Sequence, residues 1–133
     1  MGRIMRRIGT GSATQRIELG GTTAGMVEEL SITYTTNPNV SDVNTIKAYK
    51  KDKIGYITAE FIATGTTSDW VDFCSISGWG SSYGNAGVAC VAQSSTFKMC
   101  SVLIRGDGRL SIYTPTTLSN DRFRFTVAIP LTV

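Results

Sequence analysis

Histidine is absent from this sequence. That one absence removes Ser-His-Asp and Cys-His catalysis, histidine-ligated zinc and histidine pH switching together. Charge is sparse as well: Asp, Glu, Lys and Arg make up 17% of the 133 residues, against about 25% in an average soluble domain. No apolar run approaches the roughly 20 residues of a membrane helix, so membrane insertion is not expected. Arg3, Arg6 and Arg7 are followed by Gly, Thr and Ser rather than an apolar stretch, which is not the pattern of a secretory signal. The formal charge of +3 is accounted for by these three arginines. The rest of the chain is balanced, and its pI near 8.9 does not by itself point to a nucleic-acid partner.

Cysteine is scarce and odd in number. Cys74, Cys90 and Cys100 cannot all pair within one chain, and none forms a C-x-x-C motif. Each lies in an apolar run, so they are expected as small buried hydrophobes of a protein assembled in a reducing cytosol. No metal site or cofactor is expected.

Ser and Thr are plentiful, at 31 residues together. Residues 1–26 are rich in Gly, Thr and Arg and read as an extended leader. Residues 27–133 read as one domain. Two segments, Ala24–Leu30 and Ser41–Lys50, are short and ambiguous helix candidates. Strand signals are stronger. They fall at Leu30–Tyr34, Thr45–Tyr49, Ile54–Ala63, Trp70–Ser77, Val88–Gln93, Phe97–Arg105 and Arg109–Thr114, with a last strand alternating through Phe123, Phe125, Val127, Ile129 and Leu131. Lys50-Lys51-Asp52-Lys53 is a polar hairpin tip, and Asp107-Gly108 offers the positive φ values of a tight hairpin. The connections are too short for crossover helices, so the chain is expected to be all-β, an antiparallel sandwich or barrel of about eight strands.

Trp70–Ile76 and Phe97–Ile104 are apolar on both faces. In the first, Trp70, Cys74 and Ile76 share one face, with Val71 and Phe73 opposite. In the second, Phe97, Met99 and Leu103 oppose Cys100, Val102 and Ile104. A sandwich strand normally keeps one wet face. The outer face is therefore expected to be covered, by the leader, by the chain's own loops or, as favoured here, by another subunit.

Candidate chemistry is thin. Asp69, Asp72 and Glu60 are the acids nearest to a glycosidase pair, but a regular strand puts Asp69 and Asp72 on opposite sides. Gly78–Gly84 lacks dinucleotide-loop spacing and precedes a strand rather than a helix. That loop instead holds Trp79 and Tyr83 among small residues, with Ser81 and Asn85 nearby. Rings that stack on sugar C–H faces beside amide and hydroxyl groups suit carbohydrate binding. The alternative is that Trp79 plugs the end of the sandwich. Trp70 is expected in the core. Lys47, Lys50, Lys51 and Lys53 cluster without the interleaved aromatics of a single-strand nucleic-acid platform, so a solvated tip is expected.

Residues 54–133 resemble the C-terminal receptor-binding head domains of tailed-phage tail-fibre and baseplate proteins. The resemblance lies in Ile54-Gly55-Tyr56-Ile57-Thr58-Ala59-Glu60-Phe61, a Gly/Thr loop and Asp69-Trp70-Val71-Asp72-Phe73. It continues in Val102-Leu103-Ile104-Arg105-Gly106-Asp107-Gly108-Arg109-Leu110-Ser111-Ile112-Tyr113 and the aromatic-alternating final strand. It implies a jelly-roll head, usually a homotrimer, that binds host-surface saccharide; with no catalytic constellation among the residues, an enzyme is not expected. It also implies other tail or baseplate proteins as partners, and a place in the virion tail after assembly in a bacterial cytoplasm. No collagen-like or heptad repeat marks residues 1–26, which departs from heads preceded by a rigid neck.

Overall fold

A computed structural model describes residues 26–43, 45–93 and 95–133, and at residues 95–97 the backbone alone. The leader expected at 1–26 therefore lies, but for Met26, outside the described residues. Ten strands form two antiparallel sheets. These are β1 (Glu28–Leu30), β2 (Ile32–Tyr34), β3 (Val40–Ser41), β4 (Lys47–Lys51), β5 (Ile54–Gly65), β6 (Val71–Ile76), β7 (Ala86–Ala92), β8 (Ser95–Ile104), β9 (Arg109–Tyr113) and β10 (Leu118–Pro130). No described residue is helical, so neither helix candidate forms: Glu28–Leu30 and Lys47–Lys50 are strand.

The first sheet runs β1-β4-β5-β10, with β3 pairing β5 beyond the end of β4. The second runs β2-β6-β9-β8-β7. Within it, β7, β8 and β9 are joined as a meander and β6 returns beside β9, which is a Greek key. A jelly roll carries two such keys, and this strand order establishes one. The surplus over eight strands has two sources. The expected Leu30–Tyr34 strand crosses between sheets at Ser31, giving β1 and β2, and β3 adds a two-residue pairing at Val40↔Ala63 and Ser41↔Ile62. On the far side of the sandwich, Gln93 N–H donates to the Arg122 carbonyl at 3.0 Å, bringing β7 against β10.

The turns follow their residues. Asp52 and Lys53, both at positive φ (51° and 66°), make the two-residue β4–β5 hairpin, the geometry whose twist matches that of the flanking strands. Between β8 and β9 only Gly108 takes positive φ (95°), and its N–H bonds the Arg105 carbonyl at 2.9 Å. This is a three-residue loop closed by a glycine bulge rather than the tighter turn Asp-Gly suggested.

The core lies where alternation places it. Ile57, Ala59 and Phe61 of β5 meet Phe123, Phe125 and Ile129 of β10, all buried. Phe61 stacks on Phe123 (centroids 5.8 Å) and reaches across the sandwich to Phe73 of β6 (5.7 Å). All three cysteines are buried and free. Cys90 and Cys100 face each other in register on β7 and β8.

Candidate recognition face

The strand β6 does not keep a plain alternation. Its pairing with β9 shifts between Asp72↔Ser111 and Cys74↔Leu110, so Phe73 is an extra residue in a bulge. Both Phe73 and Cys74 are then buried, and the side-chain phase reverses across them. The expectation that Trp70 shares the inner face with Cys74 and Ile76 fails for this reason. Cys74 and Ile76 point inward, whereas Trp70 stands half-exposed (36%) on the outer face beside Asp72.

The indole is held from behind. Thr67 and Thr114 are both buried and exchange two bonds: Thr67 N–H to Thr114 Oγ1 at 2.7 Å, and Thr114 N–H to Thr67 Oγ1 at 3.0 Å. Asp69 Oδ1 accepts from the Trp70 N–H at 2.7 Å. These contacts fix the backbone on both sides of a ring pair, Trp70 and Tyr113, with centroids 5.7 Å apart and planes tilted by 47°. Asn37 adds a further tie, its side-chain amide donating to the Asp72 carbonyl at 3.0 Å.

Beside the rings lies a polar network. The Asp72 carboxylate accepts from the Ser111 hydroxyl on Oδ1 and pairs with Arg109 on Oδ2 at 3.3 Å. Arg105 Nε donates to Ser111 Oγ at 3.1 Å and lies 3.8 Å from Asp72 Oδ1. Arg109 also pairs with Asp107 at 2.9 Å. The Arg109 backbone N–H, then its guanidinium, hold the Asp107 carboxyl below its ordinary value. Ser111 is fully buried under this network although it belongs to the outer face. Further along the same face, Val91 and Met99 sit opposite each other on β7 and β8 and are 46% and 40% exposed. Cys100, Val102 and Ile104 are buried and Leu103 lies on the outer face, so β8 is two-faced as expected; the side chain of Phe97 lies outside the described residues.

The residues singled out in the Gly78–Gly87 loop fare differently. Trp79 is buried (6%), with its indole laid over Gly55 and its Cβ close to Gly108, so it offers no ring to solvent. Ser81 Oγ is spent on the Pro130 carbonyl (3.0 Å) and Asn85 Oδ1 on the Gly106 N–H (3.0 Å). Only Tyr83, 74% exposed, remains open for contact. The loop is a structural plug strapped to the C-terminal residues and to the β8–β9 turn. The signal for Trp70 was its place before a strand with an apolar run, which reads equally well as core; the bulge that turns it outward has no local sequence mark.

Of the three acids, Glu60 lies on a different sheet from Asp72. Glu60 sits on the outer face of the other sheet, where Arg124 and Arg122 grip its two oxygens at 3.0 and 2.8 Å and lower its pKa. Among the described residues no group of three or more Cys, Asp or Glu is placed to hold a metal ion, and no helix is long and apolar enough to cross a membrane. A shallow groove of about 400 Å³ opens where β1 crosses to β2, lined by Glu29, Ile32, Tyr34 and Lys47 among others. Its two charges face each other at 3.7 Å, and it carries one ring against the two on the β6–β9 face.

Comparison with models of protein families finds no match, and no curated protein sequence matches the chain.

Proposed function

We propose that this chain is a non-enzymatic recognition domain of the phage-tail type. It binds host cell-surface carbohydrate on the outer face of the second sheet, with Trp70 and Tyr113 as the stacking rings. The single observation carrying this reading is the half-exposed, tilted ring pair seated beside hydroxyl, carboxylate and guanidinium groups. Aromatic faces take the C–H faces of a pyranose while neighbouring polar groups take its hydroxyls. Because the backbone on both sides of the rings is already bonded in place, little ordering entropy is lost on binding.

The domain works as a homo-oligomer, a trimer by resemblance to tail heads, mounted on other tail or baseplate proteins in a virion. Exposed Val91 and Met99 extend the apolar patch past the rings and supply the contact between copies. An assembly protein without any ligand is the second reading, favoured by that same Val91–Met99 patch. A glycan array with the whole chain separates the two: saccharide binding that disappears in Trp70→Ala supports recognition, and no binding to any saccharide supports assembly alone.

A further inference from the structure

We infer that the saccharide taken by this face is acidic, and that Arg105 holds its carboxylate. The inference rests on the carbohydrate reading above and deepens it. Arg105 stands just past β8 and folds back over the sheet, its Nε bonded to Ser111 Oγ and near Asp72. Among the described residues no acceptor reaches its two terminal nitrogens. The side chain keeps 25% of its surface in solvent. One edge of the guanidinium is thus fixed by the protein and the other is left free.

Register sets the distance to the rings. Tyr113 pairs with Ser101 of β8, and Ser111 with Leu103 and Asp72, one same-face row further along. Two residues along a strand cover about 6.6–6.8 Å, the scale of a single sugar ring. A pyranose stacked on Trp70 and Tyr113 therefore brings its own carboxylate, or that of the next residue, to the free edge of Arg105. The half-buried Ser101 hydroxyl, with no partner among the described residues, lies opposite Tyr113 to meet a ring hydroxyl.

The electrostatics favour this assignment. Asp72 is countered by Arg109 as well as Arg105, and Asp107 by Arg109, so the two acids of this network are already paired, while Asp69 lies at the other end of the face, beside Trp70. A planar guanidinium with two parallel N–H donors matches a carboxylate in a way an ammonium cannot. A neutral sugar offers that edge single neutral hydroxyls, which are weaker acceptors than a carboxylate.

The test is a glycan array of uronic- and nonulosonic-acid saccharides, each paired with its methyl ester, probed with the whole chain and with Arg105→Lys and Arg105→Gln. The expected result is about tenfold or stronger preference for the acid over its ester, the scale of a hydrogen-bonded charge. Arg105→Gln should erase that preference, so that acid and ester bind alike. Arg105→Lys keeps the charge and a donor for Ser111, and should retain part of it. Thermal melts of both variants show whether Ser111 has lost its cover. Equal binding of acid and ester by the native chain overturns the acidic assignment and leaves the carbohydrate reading standing. A preference that survives in Arg105→Gln also overturns it. Binding to no member of this array overturns the acidic assignment, and the carbohydrate reading falls with it when neutral saccharides are refused as well.

Discussion

The indole of Trp79 lies against the bare Cα of Gly55: a Cβ built on that glycine would stand 2.4 Å from Cη2 and Cζ3 of the ring. Twenty-three residues of chain lie between the two, yet each fixes the identity of the other. Glycine ordinarily weakens a strand, and here, at the second residue of β5, it makes room for the largest side chain in the core. Gly55→Ala must displace the ring or the strand, and is expected to cost about 1–3 kcal/mol, the range for overpacking. Trp79→Ala empties the same space and should cost about 3–5 kcal/mol. Chemical denaturation checks both values. Had Trp79 been a solvent-facing sugar ring, its removal would leave stability nearly unchanged.

Trp70 behaves in the opposite way. It is half-exposed and packs mainly on Tyr113, so Trp70→Ala should lower stability by only about 1 kcal/mol, the worth of an aromatic pair. The same denaturation series therefore ranks the two tryptophans, and a larger loss at Trp70 than at Trp79 would contradict the fold described above.

Acid sensitivity should trace to the carboxylates held by arginine. Hydrogen bonds from Arg124 and Arg122 lower the Glu60 pKa below its ordinary 4.5. At pH above that value the carboxylate is ionised in both folded and unfolded chains, and its contribution is fully present. As pH falls through 4.5 the unfolded chain binds a proton first, and the contribution drains away until the folded group protonates too. Asp107, lowered below 3.8 by the Arg109 backbone and side chain, acts in the same direction at slightly lower pH. Melting temperature should thus begin to fall below about pH 4.5, and Glu60→Gln should flatten the upper part of that acid limb. An unchanged limb in the variant would remove Glu60 from the account.

The thiols should be inert in the folded protein. Burial pushes the Cys74 thiol up to about 12, and the adjacent Cys90 sulfur together with burial raises Cys100. The hydrogen bond with Cys100 lowers Cys90, which is kept from a reagent by its burial alone. Thiolate is the reactive form, so labelling by a disulfide reagent at pH 8 should wait on unfolding. Fast labelling of any cysteine under native conditions would mean that its strand opens locally.

Much of the fold was legible because alternation is a local signal. The inward faces of β5 and β10 follow from Ile57, Ala59, Phe61, Phe123 and Phe125 at every second place, and Gly106-Asp107-Gly108 marks its hairpin. The candidate recognition face was hidden by one residue. A bulge at Phe73 inverts the phase of β6, so counting by twos from Cys74 puts Trp70 in the core, when it is outside. Trp79 as a plug was one of two readings open in the sequence, and what decides for it, a glycine in another strand, is not a local signal. Ser81 and Asn85 carry the right groups for a sugar, but the backbone carbonyl of Pro130 and the N–H of Gly106 claim them first.

Assembly has its own test. Val91 and Met99 are exposed apolar residues in register on neighbouring strands. Met99→Glu should shift sedimentation from oligomer to monomer while the melting curve of the domain itself is nearly unchanged. An oligomer that persists in this variant would place the contact elsewhere.

The central claim is that Trp70 receives the ligand, and fluorescence reads it most directly, because the chain holds only two tryptophans. One is buried and one is exposed on the recognition face. Titrating the whole chain with saccharides that it retains on the array should shift its emission to shorter wavelength as Trp70 is covered. In Trp70→Phe, where Trp79 is the sole reporter, the shift should vanish. A shift that persists in Trp70→Phe, or saccharide binding that leaves native emission untouched, would contradict it.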